Sequence, residues 1–591
     1  MMSLKSWSQA FERPGRRIDL LICLIGAVIC VGLTGYFRIR TDLPASLEGD
    51  HLFFVTAAKS YINGHGFRLD SQLGFPGERD WLYFPSFDLS SRCLLWLAAH
   101  LTRNPFSVVH IYYVLGLAAM FGFAYWTMRR LGVRAWLAAI GSIASVMTPY
   151  LAARAYGHDT LAIYFSVPLG LGLALSIGLG RYDGSLRRLF TDPYVLVAIV
   201  VVATSGLYYA FYTVMLSLFG ATAAAMARRR VSPVIAAVAV SVPIILLLVF
   251  SGFGLDLAQA LSPQIAQPQR QPYEQILYGL NLATSSYPFR FWHKVAAGVA
   301  QSQASLPSVF DNEGVREWPG PFLTLVLLAT PLILAACQLR PRNQADAEDS
   351  RVRVIALCSA MIVFAILFAA RGGIGYLFNL MVSPAIRADA RIMPFLTLAA
   401  IVVTCVGAEL ASASPRIWWR WGGLALAAVL LSASARPQLW VLYKFQRDTL
   451  AANQAERASV PAMLQAKDRA GLKAVLELPV VSWAEQPAIM NFQPYDHQLP
   501  YVYDRPRSPT RWSYGENEKQ PWFPVVQYEA ADPARVERGA QKLGFDGALI
   551  AKSAYDAAGL AKLQAGILAG GACRLYEDDH LALYALKGGR C

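Results

Sequence analysis

The chain has 591 residues, 55% of them hydrophobic and 16% charged, with a mean hydropathy of +0.37. That balance excludes an ordinary soluble enzyme and predicts a polytopic membrane protein. The formal charge of +14 would suit a nucleic-acid binder, but the Lys and Arg residues fall in short clusters between apolar runs. Such clusters record membrane orientation, so no nucleic-acid partner is expected.

Met1–Arg17 is basic and leads into a full-length apolar run without a small-residue cleavage site, which predicts a retained first helix. A span needs about 20 apolar residues. Leu20–Phe37 is the first, with Arg13, Arg16 and Arg17 on its cytoplasmic side. Segment 38–105 then lies outside. It holds two short apolar runs, Leu52–Ile62 and Leu89–Leu101, each expected to rest in the membrane interface, with Gly- and Pro-rich turns between them.

Further spans are expected at Phe106–Met128, Ala135–Tyr150, Thr160–Leu179, Tyr194–Thr204, Ala210–Ala227, Pro233–Phe253, Phe322–Leu339, Val354–Ala370, Met393–Leu410 and Trp421–Ala435. With the first, these make about eleven, and one orientation places Arg residues in every cytoplasmic loop. The N-terminus is then inside. Residues 436–591 are outside and change character, with short strand-like runs at Ala474–Trp483, Gly547–Ser553 and Leu581–Gly588 and amphipathic helices at Ala534–Gly544 and Ala558–Gly571. The expected fold is a multi-pass α-helical membrane domain, 1–435, followed by an extracytoplasmic α/β domain, 436–591. The eight cysteines show no metal-ligand spacing. Cys573 and Cys591 fall in the outer domain, where a disulfide and two free thiols are both open readings.

This topology collects polar groups on one face. The first outer loop supplies Glu48, Asp50, His51, Glu78, Arg79 and Asp80; the second Arg154, His158 and Asp159; the third Tyr208 and Tyr209; the fourth His293, Lys294, Asp311 and Glu313; the fifth Arg387, Asp389 and Arg391. Sugar transfer from a polyprenyl-phosphate donor fits such a set. Its phosphate leaving group needs cations rather than a strong acid, and the acceptor hydroxyl needs one carboxylate base. Asp50, with Glu48 beside it, is the expected catalytic end. Arg154, His158, Arg387 and Arg391 would clamp the donor phosphate, and Tyr208, Tyr209, Asp80 and Asp159 would contact substrate.

Structural roles compete for the same residues. Asp50 and Glu48 also suit the first turn of a helix near Leu52. Arg154 and Arg391 stand at span ends where Arg side chains reach for headgroups, and Tyr208 and Tyr209 suit an interfacial belt. A lipid-linked oligosaccharide flippase is the main non-enzymatic alternative, but it predicts ionisable groups near the midplane, whereas here they gather at the outer ends of the spans. The long outer loop Gly254–Pro319 keeps an O-antigen polymerase or ligase open.

The E-x-D spacing of Glu48 and Asp50, the long first outer loop and the outer C-terminal region resemble the GT-C glycosyltransferases, the class of oligosaccharyltransferases, protein O-mannosyltransferases and the lipid A aminoarabinose transferase. Within that class LGFP…WLYFP (Leu73–Pro85), Pro149–Asp159, SGLYYAFY and PAIRADAR (Pro384–Arg391) look like bacterial members linked to surface-polysaccharide or teichoic-acid decoration. The resemblance implies a polyprenyl-phosphate sugar donor, inverting transfer to a glycan, lipid or protein acceptor, and a bacterial inner (plasma) membrane location. It requires no cofactor; some members use a divalent cation, Mg or Mn, which the carboxylates here permit, and no metal ligand is assigned. A WWDYG-type motif is missing, which argues against asparagine as acceptor.

Overall fold

The computed structural model describes residues 16–47, 49–81, 88–253, 270–280, 321–339, 346–413, 416–452, 454–483, 488–515, 522–524 and 535–586. Glu48, His293, Lys294, Asp311 and Glu313 lie outside them, as does Cys591. In chain order the principal elements begin with α1 (Arg16–Leu33), α2 (Gly49–Asn63), β1 (Leu69–Asp70), β2 (Arg79–Asp80), α3 (Leu89–Ala99), α4 (Pro105–Arg130), α5 (Ala135–Val146), α6 (Pro149–Arg154) and α7 (Asp159–Ala162). The bundle continues through α8 (Ser166–Gly178), α9 (Pro193–Thr204), α10 (Leu207–Arg228), α11 (Ser232–Leu248), α12 (Pro321–Leu339), α13 (Asp346–Ala369), α14 (Met393–Ser412) and α15 (Ile417–Ala435).

A helix occupies each apolar run that composition singles out. Among the described residues six helical segments are long and apolar enough to cross a membrane: Pro105–Arg130, Ala135–Arg154, Leu207–Arg228, Ser232–Ser251, Ser350–Ala369 and Asp389–Ser412. The second of these is broken. Thr148 accepts a hydrogen bond from the Leu151 N–H and Pro149 takes the first helical position, so the chain stops α5 and restarts as α6.

After Ala435 come α16 (Val441–Ala452) and α17 (Gln454–Ala470), then β3 (Ala474–Leu478), α18 (Gln498–Tyr503), β4 (Arg511–Trp512), α19 (Val536–Lys542), β5 (Gly547–Ala551), α20 (Ala557–Ala569), β6 (Cys573–Glu577) and β7 (Leu581–Ala585). The strands form one sheet in the order β4-β3-β5-β7-β6, parallel from β4 to β5 and antiparallel at β7 and β6. Strand alternation divides its side chains. Leu476, Leu478, Ile550 and Tyr584 pack with Val536, Leu563 and Ile567 of α19 and α20. Val475, Leu549 and Leu583 face the other way, into the same core as α17, α2 and the membrane bundle. The sheet and the bundle therefore share a hydrophobic core.

The segment between α2 and α3 is sewn into this sheet. Leu73 pairs in parallel with Trp512, and Trp512 N–H donates to Gln72 O (2.8 Å) and Phe75 N–H to Trp512 O (3.0 Å). These bonds cover the edge at β4, which would otherwise expose unpaired backbone groups. Arg79 stacks over the Trp483 ring at 4.3 Å.

Helix α2 corrects an expectation. Leu52–Ile62 does not rest in the interface, because every residue from His51 to Ile62 is buried. Its polar side chains face protein: Thr56 Oγ1 donates to Gln498 Oε1 (2.5 Å), and Lys59 Nζ donates to the Asp504 carbonyl. Around that carbonyl the buried Lys467 ammonium meets Asp504 (2.7 Å), Asp468 (3.1 Å) and Thr510 Oγ1 (3.0 Å). Helix α3, by contrast, exposes Trp96 and Leu97 and starts on an Asp88 cap, as suits a helix at an interface.

Asp504→Ala is expected to leave the Lys467 ammonium buried with only a half-exposed acid beside it, and to cost about 3 kcal/mol. Asp448→Ala removes an exposed partner of Arg447 and should cost less than about 1 kcal/mol. Thermal unfolding of the two purified variants checks the contrast.

Candidate functional site

The site begins at the N-terminal turn of α2. Gly49 has φ +53, and a Cβ there would meet nothing within 4 Å, so the position asks for glycine through its backbone rather than through crowding. The chain turns left-handed at Gly49 and enters the helix with Asp50 and His51 adjacent. Across from them lies the turn after α6, where Tyr156 has φ +57, an uncommon conformation for a bulky residue. Its backbone N–H donates to Tyr113 OH (2.8 Å), and its ring packs edge-on against His51 at 5.3 Å. That turn delivers His158 and Asp159 side by side.

The two dipeptides pair reciprocally. His51 Nδ1 donates to Asp159 at 3.0 Å, and both side chains are only 1% exposed. Tyr113 OH donates to the same carboxylate at 2.6 Å. His158 Nε2 faces Asp50 Oδ2 at 3.6 Å, with side-chain exposures of 35% and 51%. One dyad is sealed in the core; the other opens to solvent. The sealed pair fixes the position of the open one, because each shares a peptide bond with its neighbour.

Arg154 Nη1 lies 3.4 Å from His158 Nδ1. A guanidinium can only donate, so Nδ1 is the acceptor and the imidazole proton sits on Nε2, toward Asp50. Arg154 is buried beside Tyr150, at 5.9 Å from its ring centroid, and Tyr150 OH meets Tyr209 OH at 3.2 Å. Tyr209 OH donates to Leu161 O (2.8 Å), and the neighbouring Tyr208 ring carries Arg391 at 4.5 Å. Contacts thus run from Asp50 through His158, Arg154 and Tyr150 to Tyr209, whose chain neighbour Tyr208 meets Arg391.

The other expected residues stand elsewhere. Arg387 forms an ion pair with Glu274 and lies 5.0 Å from the Tyr278 ring. Asp80 is buried in the β1–β2 hairpin opposite Leu69 and accepts from Arg68 Nε at 3.0 Å. Asp159 is spent on His51 and Tyr113. Sequence reasoning assigned no role to His51, Tyr113, Tyr150 or Glu274; the mirrored dipeptides Asp50-His51 and His158-Asp159 were the available signal. Among the described residues no group of three or more His, Cys, Asp or Glu side chains is placed to hold a metal ion.

The chain belongs to the family described as Domain of unknown function (DUF6311), whose model matches residues 92–442, more than half of its length. The matched segment includes Arg154, His158, Tyr208, Tyr209, Arg387 and Arg391, and leaves out Asp50 and the C-terminal sheet. Among solved structures it is similar to an arabinofuranosyltransferase, AftD, from Mycobacteria, at 13% identity and TM-score 0.48, covering 97% of this chain and 41% of that one. It is also similar to an oligosaccharyltransferase of Archaeoglobus fulgidus, at 11% identity and TM-score 0.43, covering 90% and 67%. The chain spans less than half the length of the arabinofuranosyltransferase. At that similarity neither neighbour defines the chemistry of this chain. No curated protein matches.

The two dyads should differ in what they support. Asp159→Ala strips a buried imidazole and a buried phenol of their acceptor and is expected to cost about 1–3 kcal/mol. Asp50→Ala should cost less than about 1 kcal/mol, as for other half-exposed pairs. Denaturant unfolding of the two variants measures the difference.

Proposed function

We propose that the chain is an inverting glycosyltransferase, moving a sugar from a polyprenyl-phosphate donor to a glycan, lipid or protein acceptor outside the cytoplasm. The observation that carries this reading is the placing of one accessible carboxylate, Asp50, near the guanidinium groups of Arg154 and Arg391, which lie against the Tyr150 and Tyr208 rings of a tyrosine cluster whose Tyr150 and Tyr209 hydroxyls meet. Base and cations are the two things that transfer from a phosphate requires.

In this mechanism the acceptor oxygen attacks the anomeric carbon as its proton passes to Asp50. The bond from that carbon to the phosphate oxygen breaks, its electron pair stays on the phosphate, and Arg154 and Arg391 hold the added charge. Attack opposite the leaving group inverts the centre in a single displacement, without the covalent intermediate of the two-carboxylate route. His158, proton on Nε2, orients the Asp50 carboxylate rather than clamping phosphate. Tyr208 and Tyr209 line the path between the cations. Arg387 reaches the donor only by giving up Glu274.

The same reading has about eleven helices crossing the inner membrane of a bacterium, with the N-terminus cytoplasmic and the sheet outside. Cys573 is disulfide-bonded, which suits an oxidising compartment. The apolar surfaces of Trp96 and Leu97 on α3 would meet the lipid part of the donor at the outer leaflet. The ionisable groups cluster at helix ends, which favours surface chemistry over passage through the bundle.

Purified protein in liposomes, given polyprenyl-phosphate sugars and a crude acceptor extract, should release free polyprenyl phosphate. Asp50→Asn should slow release by at least about a hundredfold, the scale of losing a general base. Equal release from both proteins would remove Asp50 from the chemistry. No release from wild type with intact donors would contradict the transferase and make lipid flipping the next assay.

A further inference from the structure

A second site lies beyond the Asp50–Arg391 line. A cavity of about 400 Å³ opens at the carboxyl end of β5 and the start of β7, where Leu549, Ala551, Ser553 and His580 meet Ser459 of α17 and the turn into α18. Carboxyl ends of parallel strands are where α/β sheets bind ligands, and this volume is typical of a small-molecule site.

Its lining selects a chemical class. Asn491, His497, Ser553 and His580 bring hydrogen-bonding groups, Gln493 and Asp496 cap each other beside them, Ser459 bonds to Asp578, and among the described residues no Lys or Arg takes part. A phosphate or carboxylate ligand would find no Lys or Arg to pair with among the described lining residues. His497 donates Nε2–H to Pro479 O at 2.9 Å, which leaves Nδ1 as an acceptor. Burial lowers its pKa to about 4, so the imidazole stays neutral at physiological pH. Phe492, Leu499 and Leu47 add apolar surface between the polar groups. Alternating apolar patches and neutral donors and acceptors match the faces and hydroxyls of a sugar ring.

The cavity is also close to the proposed chemistry. Leu47 lines it and stands three residues before Asp50. At about 3.3–3.6 Å per extended residue, the two Cα atoms are at most about 11 Å apart. A glycan bound there could present its next unit to Asp50.

We infer that this cavity is a subsite for a neutral sugar unit of the acceptor. Its assignment to the acceptor rests on the transferase reading, whereas sugar binding itself does not. The probes are methyl glycosides of neutral hexoses and pentoses, with inorganic phosphate alongside, titrated into the full-length protein in nanodiscs and read by saturation-transfer NMR. Asn491 and Ser553 are exposed at the rim, so Ser553→Trp and Asn491→Trp fill the cavity without burying new surface in the core. The expected result is that at least one glycoside binds in the millimolar range, that each Trp variant weakens it at least about tenfold, and that Asp50→Asn leaves it unchanged. Ser553→Trp should also slow polyprenyl-phosphate release when acceptor extract is limiting. The inference is overturned if no glycoside binds, if binding survives both Trp variants, or if phosphate binds in preference. Intact glycoside binding with no polyprenyl-phosphate release from wild type would support the sugar site and count against the transferase alone.

Discussion

The reciprocal pairing of Asp50-His51 with His158-Asp159 is the constraint on which the rest of the site depends. A buried His–Asp contact is worth having only if its remaining polar atoms are satisfied, and here Tyr113 supplies the second donor to Asp159. The positive φ of Tyr156 is held by the same group, because its N–H also ends on Tyr113. Strain at that turn and the buried dyad therefore stand or fall together. What they deliver is a half-exposed carboxylate at a fixed distance from an imidazole and, behind it, a guanidinium.

The sheet explains why the first turn of α2 can be held so firmly. A helix resting in the interface could tilt or slide, but α2 is enclosed along its length, and its Thr56 and Lys59 side chains end on residues of the C-terminal region. The parallel pairing of Leu73 with Trp512 ties down the chain that follows it. Removing the C-terminal region would expose the polar and apolar groups of α2 alike. This gives that region a positioning role, whatever else it binds.

Much of this was legible in the sequence. The bundle helices follow apolar runs whose length and periodicity need no distant information. Counting loops put Asp50, Arg154, His158, Tyr208, Tyr209 and Arg391 on one face, together with Asp80 and Arg387, which pair instead with Arg68 and Glu274. Helix α2 was misread for a physical reason: Thr56, Lys59 and Ser60 interrupt its apolar pattern as an interfacial helix would, and the partners that bury Thr56 and Lys59 come 442 and 445 residues later. Strands β4 and β6 were missed as well. The first is two residues long, and the second is a partly exposed edge strand whose alternation is weak. Arg387 reads as a donor-phosphate ligand in the fifth loop beside Arg391, yet Glu274, more than a hundred residues earlier, takes its guanidinium.

The most direct test of the central claim is a double-mutant cycle on polyprenyl-phosphate release, using Asp50→Asn, His158→Gln and the double variant. If His158 acts by orienting the Asp50 carboxylate, the double variant should be no more than about threefold slower than Asp50→Asn alone, because residues acting as a unit are not additive. Multiplied losses in the double variant would show that the two side chains act independently, and would contradict the paired centre proposed here.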